Sequence, residues 1–347
     1  MPVLRRLGGS TGPVAPGDAA GPALERIVGF TFAPDPGPAP TAEERKPFVD
    51  HMESLYGPLD DLSWLTEGAR VSYHDMVRTV VDDLGPALTD VDLVVTVDAT
   101  PDCRHQSFPG ALLTELLPGD PLMMGVTEQG VAGPFTALRI AHQQLRAGQA
   151  RRALILVMEQ STLPPGGTRP AHDVAVALLL GPDGTVAVDA PTLVVTRTGP
   201  GPADLSTAAR PGADLPTEDR AGADLPEVDL IVAGAGPESV PAGVPVRHAP
   251  TGHPCAGVWL ALADLLADPH RPAGRVLVTD RDPVLPYRCA VTLTLPADRP
   301  ETPAQHTVGR GRPVTVRADH GHPAGPAGPP GAADGAARPR RTRELVR

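Results

Sequence analysis

The chain has 347 residues, of which 41% are hydrophobic and only 3% aromatic, so one large or two small domains must build their core from Val, Leu and Ala. The formal net charge of −11 argues against nucleic-acid binding, which needs a basic face. The three cysteines form no CxxC pair, which argues against a disulfide framework or a zinc site. No apolar run approaches ~18 residues, which argues against a membrane span and predicts a cytoplasmic protein.

Long irregular stretches are predicted by the 44 prolines and 37 glycines. Residues 1–24 and 298–347 are rich in Pro, Gly, Ala and Arg without periodicity, which predicts disordered tails. Between these tails a decapeptide repeats three times, as GPADLSTAAR, PGADLPTEDR and AGADLPEVDL. The copies are too short and polar to stack, so we interpret 199–227 as a linker between an N-terminal half, 25–198, and a short C-terminal half, 228–297.

The N-terminal half alternates helical and strand patterns. SYHDMVRTVVDDL begins with Ser72 and Asp75 at capping-box spacing, which predicts a helix. The apolar runs DLVVTVDAT, residues 92–100, and ARRALILVME, residues 150–159, are typical of buried strands. FPGALLTELL, residues 108–117, predicts a short helix between them.

A glycine-rich elbow followed by an amphipathic helix occupies residues 125–148, GVTEQGVAGPFTALRIAHQQLRAG. This is how a chain presents a nucleophile at a helix N-terminus, yet the elbow holds no Ser, Cys or Lys. Residues 172–199 then predict a hairpin around Pro182-Asp183-Gly184.

The C-terminal half begins with a strand pattern, VDLIVAGAG, residues 228–236. GVWLALADLLAD, residues 257–268, is apolar almost all round and predicts a buried helix. GRVLVTD, residues 274–280, and YRCAVTLTLP, residues 287–296, predict the last strands. Together with the first half, this order indicates a layered α/β fold.

Several of these segments resemble the thiolase-fold β-ketoacyl synthases, and they occur in the same order. DLVVTVDATPD is similar to a strand and turn of the third class of β-ketoacyl-acyl-carrier-protein synthases, and GPFTALRIAHQQLRAGQARRALILVMEQST to the helix, turn and strand after the active cysteine. APTGHPCAGVWLALADLL resembles the segment of elongating ketosynthases that carries a catalytic His. The resemblance covers roughly residues 25–297 and implies a thiolase-like α-β-α-β-α fold with a shortened second half.

The resemblance also implies a condensing site with a thiolate, two polar groups and an oxyanion hole, and much of this is missing. Ungapped alignment places Val131 at the nucleophile position. The TEQ sequence instead resembles chain-length factors, in which Gln fills the cysteine position, and places Gln129 there. His253, in TGHP, remains as the second polar group, whereas the loop TDRDPVLPY has no Gly to supply an oxyanion amide.

We therefore predict a non-condensing, ketosynthase-like subunit of polyketide or fatty-acid biosynthesis. Its partners would be an active ketosynthase, paired as chain-length factors are in a hetero- or homodimer, and an acyl carrier protein. The alternative is an acyltransferase or decarboxylase that acts on acyl-carrier-protein or coenzyme A thioesters through His253 and a non-standard nucleophile, Cys103 or Cys255. A third hypothesis is an unrelated α/β protein with a similar element order. No cofactor and no metal is predicted.

Overall fold

The computed structural model of the chain describes residues 21–35, 37–59, 61–64, 68–104, 108–162, 172–195, 227–234, 243–282, 287–297 and 309–310. Most of the predicted tails and of the predicted linker lies outside these stretches, so the domain boundaries stay predictions. None of the helices in the described part of the chain is long and apolar enough to cross a membrane.

The strands join in one mixed sheet. They are β1 (Ala23–Phe32), β2 (Leu93–Asp98), β3 (Leu122–Thr127), β4 (Ala153–Glu159), β5 (Asp173–Gly181), β6 (Val186–Val188), β7 (Thr192–Val195), β8 (Leu230–Ala233), β9 (Val246–His248), β10 (Gly274–Arg281), β11 (Tyr287–Leu295) and β12 (Gly309–Arg310). Their order is β3-β2-β4-β5-β1-β6-β11-β10-β8-β9, with β7 beside β11. Strand β12, two residues of the predicted C-terminal tail, pairs with β1.

The direction of the strands separates two regions of the sheet. β2 runs parallel to both β3 and β4, and β8 runs parallel to both β9 and β10. Antiparallel pairs connect β4 to β5, β5 to β1 and β10 to β11. The short strand β6 pairs with both β1 and β11 and so connects the two halves.

The described helices are α1 (Ala42–Tyr56), α2 (Tyr73–Leu84), α3 (Pro109–Leu116), α4 (Ala132–Arg146) and α5 (Gly257–Ala267). The predicted cap of α2 is present, because the Ser72 hydroxyl accepts a hydrogen bond from the Asp75 backbone N–H. Helix α1 has a complete capping box between Thr41 and Glu44. Each cap satisfies backbone donors that the first turn leaves unpaired.

Helices α4 and α5 form a central layer, which contacts strands from both halves of the sheet. Helix α4 packs against β2, β3 and β4 and also against β7 and β11, while α5 packs against β1, β8 and β10. The main core lies around these two helices, where Phe135 of α4 contacts Trp259 of α5 with ring centroids 5.0 Å apart. The starts of α4 and α5 are thereby held in the interior of the molecule.

The two outer faces of the sheet are covered to different extents. Helices α2 and α3 pack on the first half and bury a second large core. On the outer face of β8 and β10, Ile231, Ala233 and Leu277 pack only against strand and loop residues among those described. The predicted α/β layered fold is confirmed, and the described helices supply its first outer layer and its central layer.

Candidate functional site

The elbow between β3 and α4 is a tight, strained turn. Glu128 has φ of 57° and Gly130 has φ of 53°, so both lie in the left-handed region. Only glycine occupies this region without steric cost, and Glu128 is therefore strained. A strained turn from a strand into a helix is the local geometry that presents a nucleophile in other enzymes.

The two residues considered for the nucleophile position face opposite environments. Val131 directly precedes α4, is only 2% exposed and belongs to the main core. Gln129 is exposed, and its Oε1 accepts a hydrogen bond of 2.8 Å from the hydroxyl of Thr136 on α4. The interior side of the elbow is thus occupied by an aliphatic side chain, and the amide of Gln129 points along the helix surface.

A carboxylate from the other half of the chain meets the start of α4. The backbone N–H of Val131 donates to Oδ2 of Asp282 at 3.3 Å. Asp282 follows β10 and is 8% exposed, and its own N–H donates to the carbonyl of Tyr287 at the start of β11. Asp282 lies in the loop TDRDPVLPY, where sequence reasoning looked for a glycine and overlooked the acid.

Helix α5 starts beside a second buried carboxylate, Glu159, at the end of β4. Glu159 is fully buried and accepts hydrogen bonds from the N–H groups of Cys255 (3.2 Å) and Ala256 (2.8 Å). Burial raises the pKa of Glu159 to about 7, against the opposing effect of these two hydrogen bonds. Glu159 was not predicted from the sequence, because nothing in ALILVME marks its last residue as a helix cap.

His253 lies next to this cap. Its Nδ1 is 3.9 Å from Oε2 of Glu159, which is beyond hydrogen-bond distance, and this buried nitrogen has no hydrogen-bond partner among the described residues. Burial, with a smaller contribution from His172, lowers the pKa of His253 to about 4. The imidazole is therefore neutral at physiological pH, as a general base must be.

All three cysteines are free and buried. Burial is the largest cause that raises the pKa of Cys255 well above its ordinary value, and negative side chains add to it. Those side chains are Glu159, Asp98, Asp280 and Asp282. The pKa of Cys103 is raised in the same way, first by burial and then by the charge of Asp102. Neither thiol is in a setting that yields a reactive thiolate.

Further polar groups are buried at the carboxyl end of β2. Burial, with a smaller contribution from the charge of Asp102, raises the pKa of Asp98 to about 7. Among the described residues, Oδ1 of Asp98 and Oδ2 of Asp102 are buried without a hydrogen-bond partner. The amide of Gln160 connects this region by donating to Oδ1 of Asp102 and to Sγ of Cys103. The centre of the molecule is consequently rich in carboxyl groups.

This acidic character bears on the chemistry of the centre. Condensation proceeds through a thiolate and an oxyanion, both negative, which need hydrogen-bond donors and positive charge. The described residues instead place carboxyl groups around the starts of α4 and α5. Within the same residues, no group of three or more His, Cys, Asp and Glu side chains is arranged to hold a metal ion.

A surface depression lies elsewhere. It has a volume of about 280 Å³ and is lined by Thr89–Asp92 and Pro118–Asp120, at the amino ends of β2 and β3. The elbow and the buried carboxyl groups are at the opposite, carboxyl ends of these strands. The depression is therefore not part of the candidate site.

The fold is that of the thiolase-like condensing enzymes. One solved structure with this fold is 3-oxoacyl-(acyl carrier protein) synthase III, FabH, from Pseudomonas aeruginosa PAO1, which matches with a TM-score of 0.50 and 16% identity over 81% of this chain and 100% of that chain. ChlB3, described as an acyltransferase, matches with a TM-score of 0.49 and 17% identity over 79% of this chain and 98% of its own. No family model and no curated protein matches the sequence. The predicted resemblance to β-ketoacyl synthases is confirmed in the fold.

Proposed function

We propose that this chain is a non-condensing, ketosynthase-like subunit that pairs with an active ketosynthase and works on substrates held by an acyl carrier protein. The observation that carries this proposal is the buried Val131 at the start of α4. A valine has no lone pair or acidic proton, so the residue on the inner side of the elbow is unable to attack a thioester. A condensing enzyme of this fold needs its nucleophile there.

The free edge of the sheet at β3 supports the partner role. Among the strands in the described part of the chain, β3 pairs only with β2, and it leads directly into the elbow. Proteins with the thiolase fold share a way of pairing, in which two chains contact each other through the strand and helix beside the elbow. An unpaired edge strand offers backbone donors and acceptors to a second chain, so β3 is suited to such a contact.

Exposed hydrophobic side chains are concentrated beside this edge. Among the described residues, Leu122 on β3 is 53% exposed, Phe108 is 44% exposed and Leu116 at the end of α3 is 39% exposed. Phe108 lies over Gly125 of β3, because a Cβ at this glycine would come within 2.7 Å of its ring. Apolar groups gathered at an unpaired edge indicate an interaction surface.

Co-expression with a cysteine-containing ketosynthase tests the proposal. We expect a tagged form of this chain to co-purify with the ketosynthase and to change the chain length of its product. The variant Leu122→Arg should abolish co-purification, because it places a charge on the edge strand that is proposed to contact the ketosynthase. Leu62→Arg is the matched control, since Leu62 is also exposed (36%) but lies outside β3 and α3. A chain that stays monomeric and never alters product length would contradict the proposal.

A second candidate function follows from His253. Its buried Nδ1, next to Glu159 and without a hydrogen-bond partner among the residues that the structure describes, supports a proton-transfer role in an acyltransferase or decarboxylase. Incubation with a mass-tagged acyl thioester, followed by peptide mapping, tests this function. An adduct on Cys103 or Cys255, or turnover that His253→Ala removes, would favour it over the partner role. The raised pKa of both thiols makes such an adduct unexpected.

A further inference from the structure

The start of a helix is a natural position for negative charge. Its first backbone N–H groups have no partner within the helix, and the aligned peptide dipoles add a partial positive charge. A thiolate or an oxyanion placed there is stabilised, which is how many nucleophiles and oxyanion holes are built. In this chain the first such N–H of α4, that of Val131, donates to a side-chain acceptor, Oδ2 of Asp282. The next two N–H groups, of Ala132 and Gly133, donate to the carbonyls of Gln129 and Gly130 in the elbow.

The position of Asp282 is fixed by the fold. It is separated from Val131 by 151 residues and reaches it from the end of β10. The backbone N–H of Asp282 is bonded to Tyr287 at 3.0 Å, which ties the residue to the antiparallel pair β10 and β11. At 8% exposure Asp282 is largely shielded from water, and water screens electrostatic interactions less in such surroundings.

We propose that Asp282 occupies the anion-binding position at the start of α4 and thereby prevents a second negative charge from forming there. The inference rests on the proposed function in one respect, namely that Val131 stands at the nucleophile position. Two negative charges at the same N–H repel each other, so a thiolate at residue 131 and an oxyanion bound by its N–H are both disfavoured. At the neighbouring start of α5, Asp98, Glu159, Asp280 and Asp282 all raise the pKa of Cys255, so acidic groups surround this part of the molecule.

Restoring a cysteine at residue 131 should reveal the effect of Asp282. Val131→Cys alone places a thiol beside a resident carboxylate, and this thiol should titrate at or above the ordinary value of about 8.5. Val131→Cys with Asp282→Asn keeps the hydrogen-bond acceptor and removes the charge. The helix start can then stabilise the thiolate.

The experiment compares the thiol titration of V131C and V131C/D282N. The ultraviolet absorbance of the thiolate, taken as the difference from the parent chain, gives the titration midpoint without requiring reagent access to a buried site. We expect the midpoint of V131C/D282N to be lower by about one to three pH units, the usual effect of removing a neighbouring like charge. Each unit corresponds to tenfold more thiolate below the midpoint.

A matched control separates the hydrogen-bonded carboxylate from the general acidity of the region. Asp280 lies two residues earlier on β10 and is also buried. V131C/D280N should therefore leave the midpoint within about half a unit of V131C, since this variant keeps the Asp282 carboxyl group that is bonded to the N–H of residue 131. If D282N does not fold, D282S provides a second uncharged acceptor at the same position.

Each result has a defined meaning. The role of Asp282 is overturned if V131C, V131C/D282N and V131C/D282S titrate at the same midpoint. It is also overturned if V131C/D280N shifts the midpoint as much as V131C/D282N does. Neither result bears on pairing with a ketosynthase, which co-purification measures separately. Conversely, loss of co-purification would not change the thiol titration, so the two proposals fail independently.

Discussion

The starts of α4 and α5 lie near each other in the central layer, and each receives a buried carboxylate from the other half of the chain. At α5, Glu159 accepts two backbone N–H groups at 3.2 and 2.8 Å. At α4, Asp282 accepts one N–H at 3.3 Å. The preceding turns differ as well. The left-handed position before α5 is a glycine, Gly252 with φ of 89°, whereas the turn before α4 places Glu128 in that region in addition to Gly130.

The start of α5 is thus typical of a structural helix start, whereas the start of α4 has features that are common at functional sites. The turn before α5 has a glycine at its left-handed position, and Glu159 accepts two hydrogen bonds from the start of this helix. The turn before α4 holds a strained residue and a longer, single bond. Backbone strain persists where the surrounding structure imposes it, and it concentrates at functional sites. The start of α4 has kept the geometry of an elbow although the residue on its inner side is a valine.

The largest predicted effect comes from removing the contact between the two helices. Trp259→Ala deletes a 1% exposed ring that packs on Phe135. We expect the free energy of unfolding to fall by roughly 3–5 kcal/mol, the usual cost of a large-to-small change in a core. Denaturant unfolding measures this change.

Trp64→Ala is the control, because Trp64 is equally buried but belongs to a small separate cluster with Phe48 and Met52. Its effect on global unfolding should be clearly smaller than that of Trp259→Ala. Equal losses in the two variants would show that the central layer does not dominate stability.

The second prediction concerns the cap of α5. Glu159→Ala leaves the N–H groups of Cys255 and Ala256 buried without acceptors, and we expect a loss of about 2–3 kcal/mol. Glu159→Gln retains an acceptor oxygen and removes a buried charge, so its loss should be less than half as large. Thermal and denaturant unfolding distinguish the two variants. If Gln costs as much as Ala, the charge and not the hydrogen bonding is what matters at this helix start.

The third prediction is a pH dependence. The pKa values of Glu159 and Asp98 are raised to about 7 in the folded chain. Their protonated forms are favoured by folding, so this stabilisation is complete below their ordinary values and is lost as the pH rises through about 7. We expect the free energy of unfolding to decrease by about 1 kcal/mol per unit between roughly pH 5 and 7. Equilibrium unfolding across this range measures the slope.

His253 acts in the opposite direction, which supplies the control. Its pKa is lowered to about 4, so its contribution is present above its ordinary value, near ~6.5, and is lost as the pH falls through about 4. His253→Gln should therefore steepen the decrease with rising pH, whereas Asp98→Asn should flatten it. A slope that neither variant changes would remove both groups as its source.

The sequence predicted the elements whose signals are local. The Ser72 cap, the apolar runs that became β2 and β4, and the apolar helix α5 each have their pattern within about a dozen residues. Helix α1 was missed, since it is largely exposed and contains Pro47, a residue that usually ends a helix. Strand β1 was also missed, because its sequence ALERIVGFTF begins with a mixture of charged and apolar residues that does not reveal a central strand.

The candidate site was predicted only where the chain keeps the pattern of a known family. The elbow and His253 could be recognised from their neighbours in the sequence. Glu159 and Asp282 act on backbone groups that are 96 and 151 residues away, and a single acid in a strand or loop carries no sign of such a contact. Placing Val131 and not Gln129 at the nucleophile position stays a proposal, and it rests on which of the two side chains faces the core, which the sequence does not show.

The smallest predicted effect tests the strain at the start of α4. Glu128→Gly removes the steric cost of its left-handed conformation, and we expect a gain of about 0.5–1 kcal/mol in the free energy of unfolding. The exposed contact between Oε1 of Glu128 and Nε2 of His51, 3.7 Å apart, is lost in this variant but contributes little. Glu128→Gln removes the charge and keeps the strain, so it should leave stability nearly unchanged. A loss of stability in the glycine variant would show that Glu128 is held by favourable contacts, and the elbow would then be as relaxed as the turn before α5.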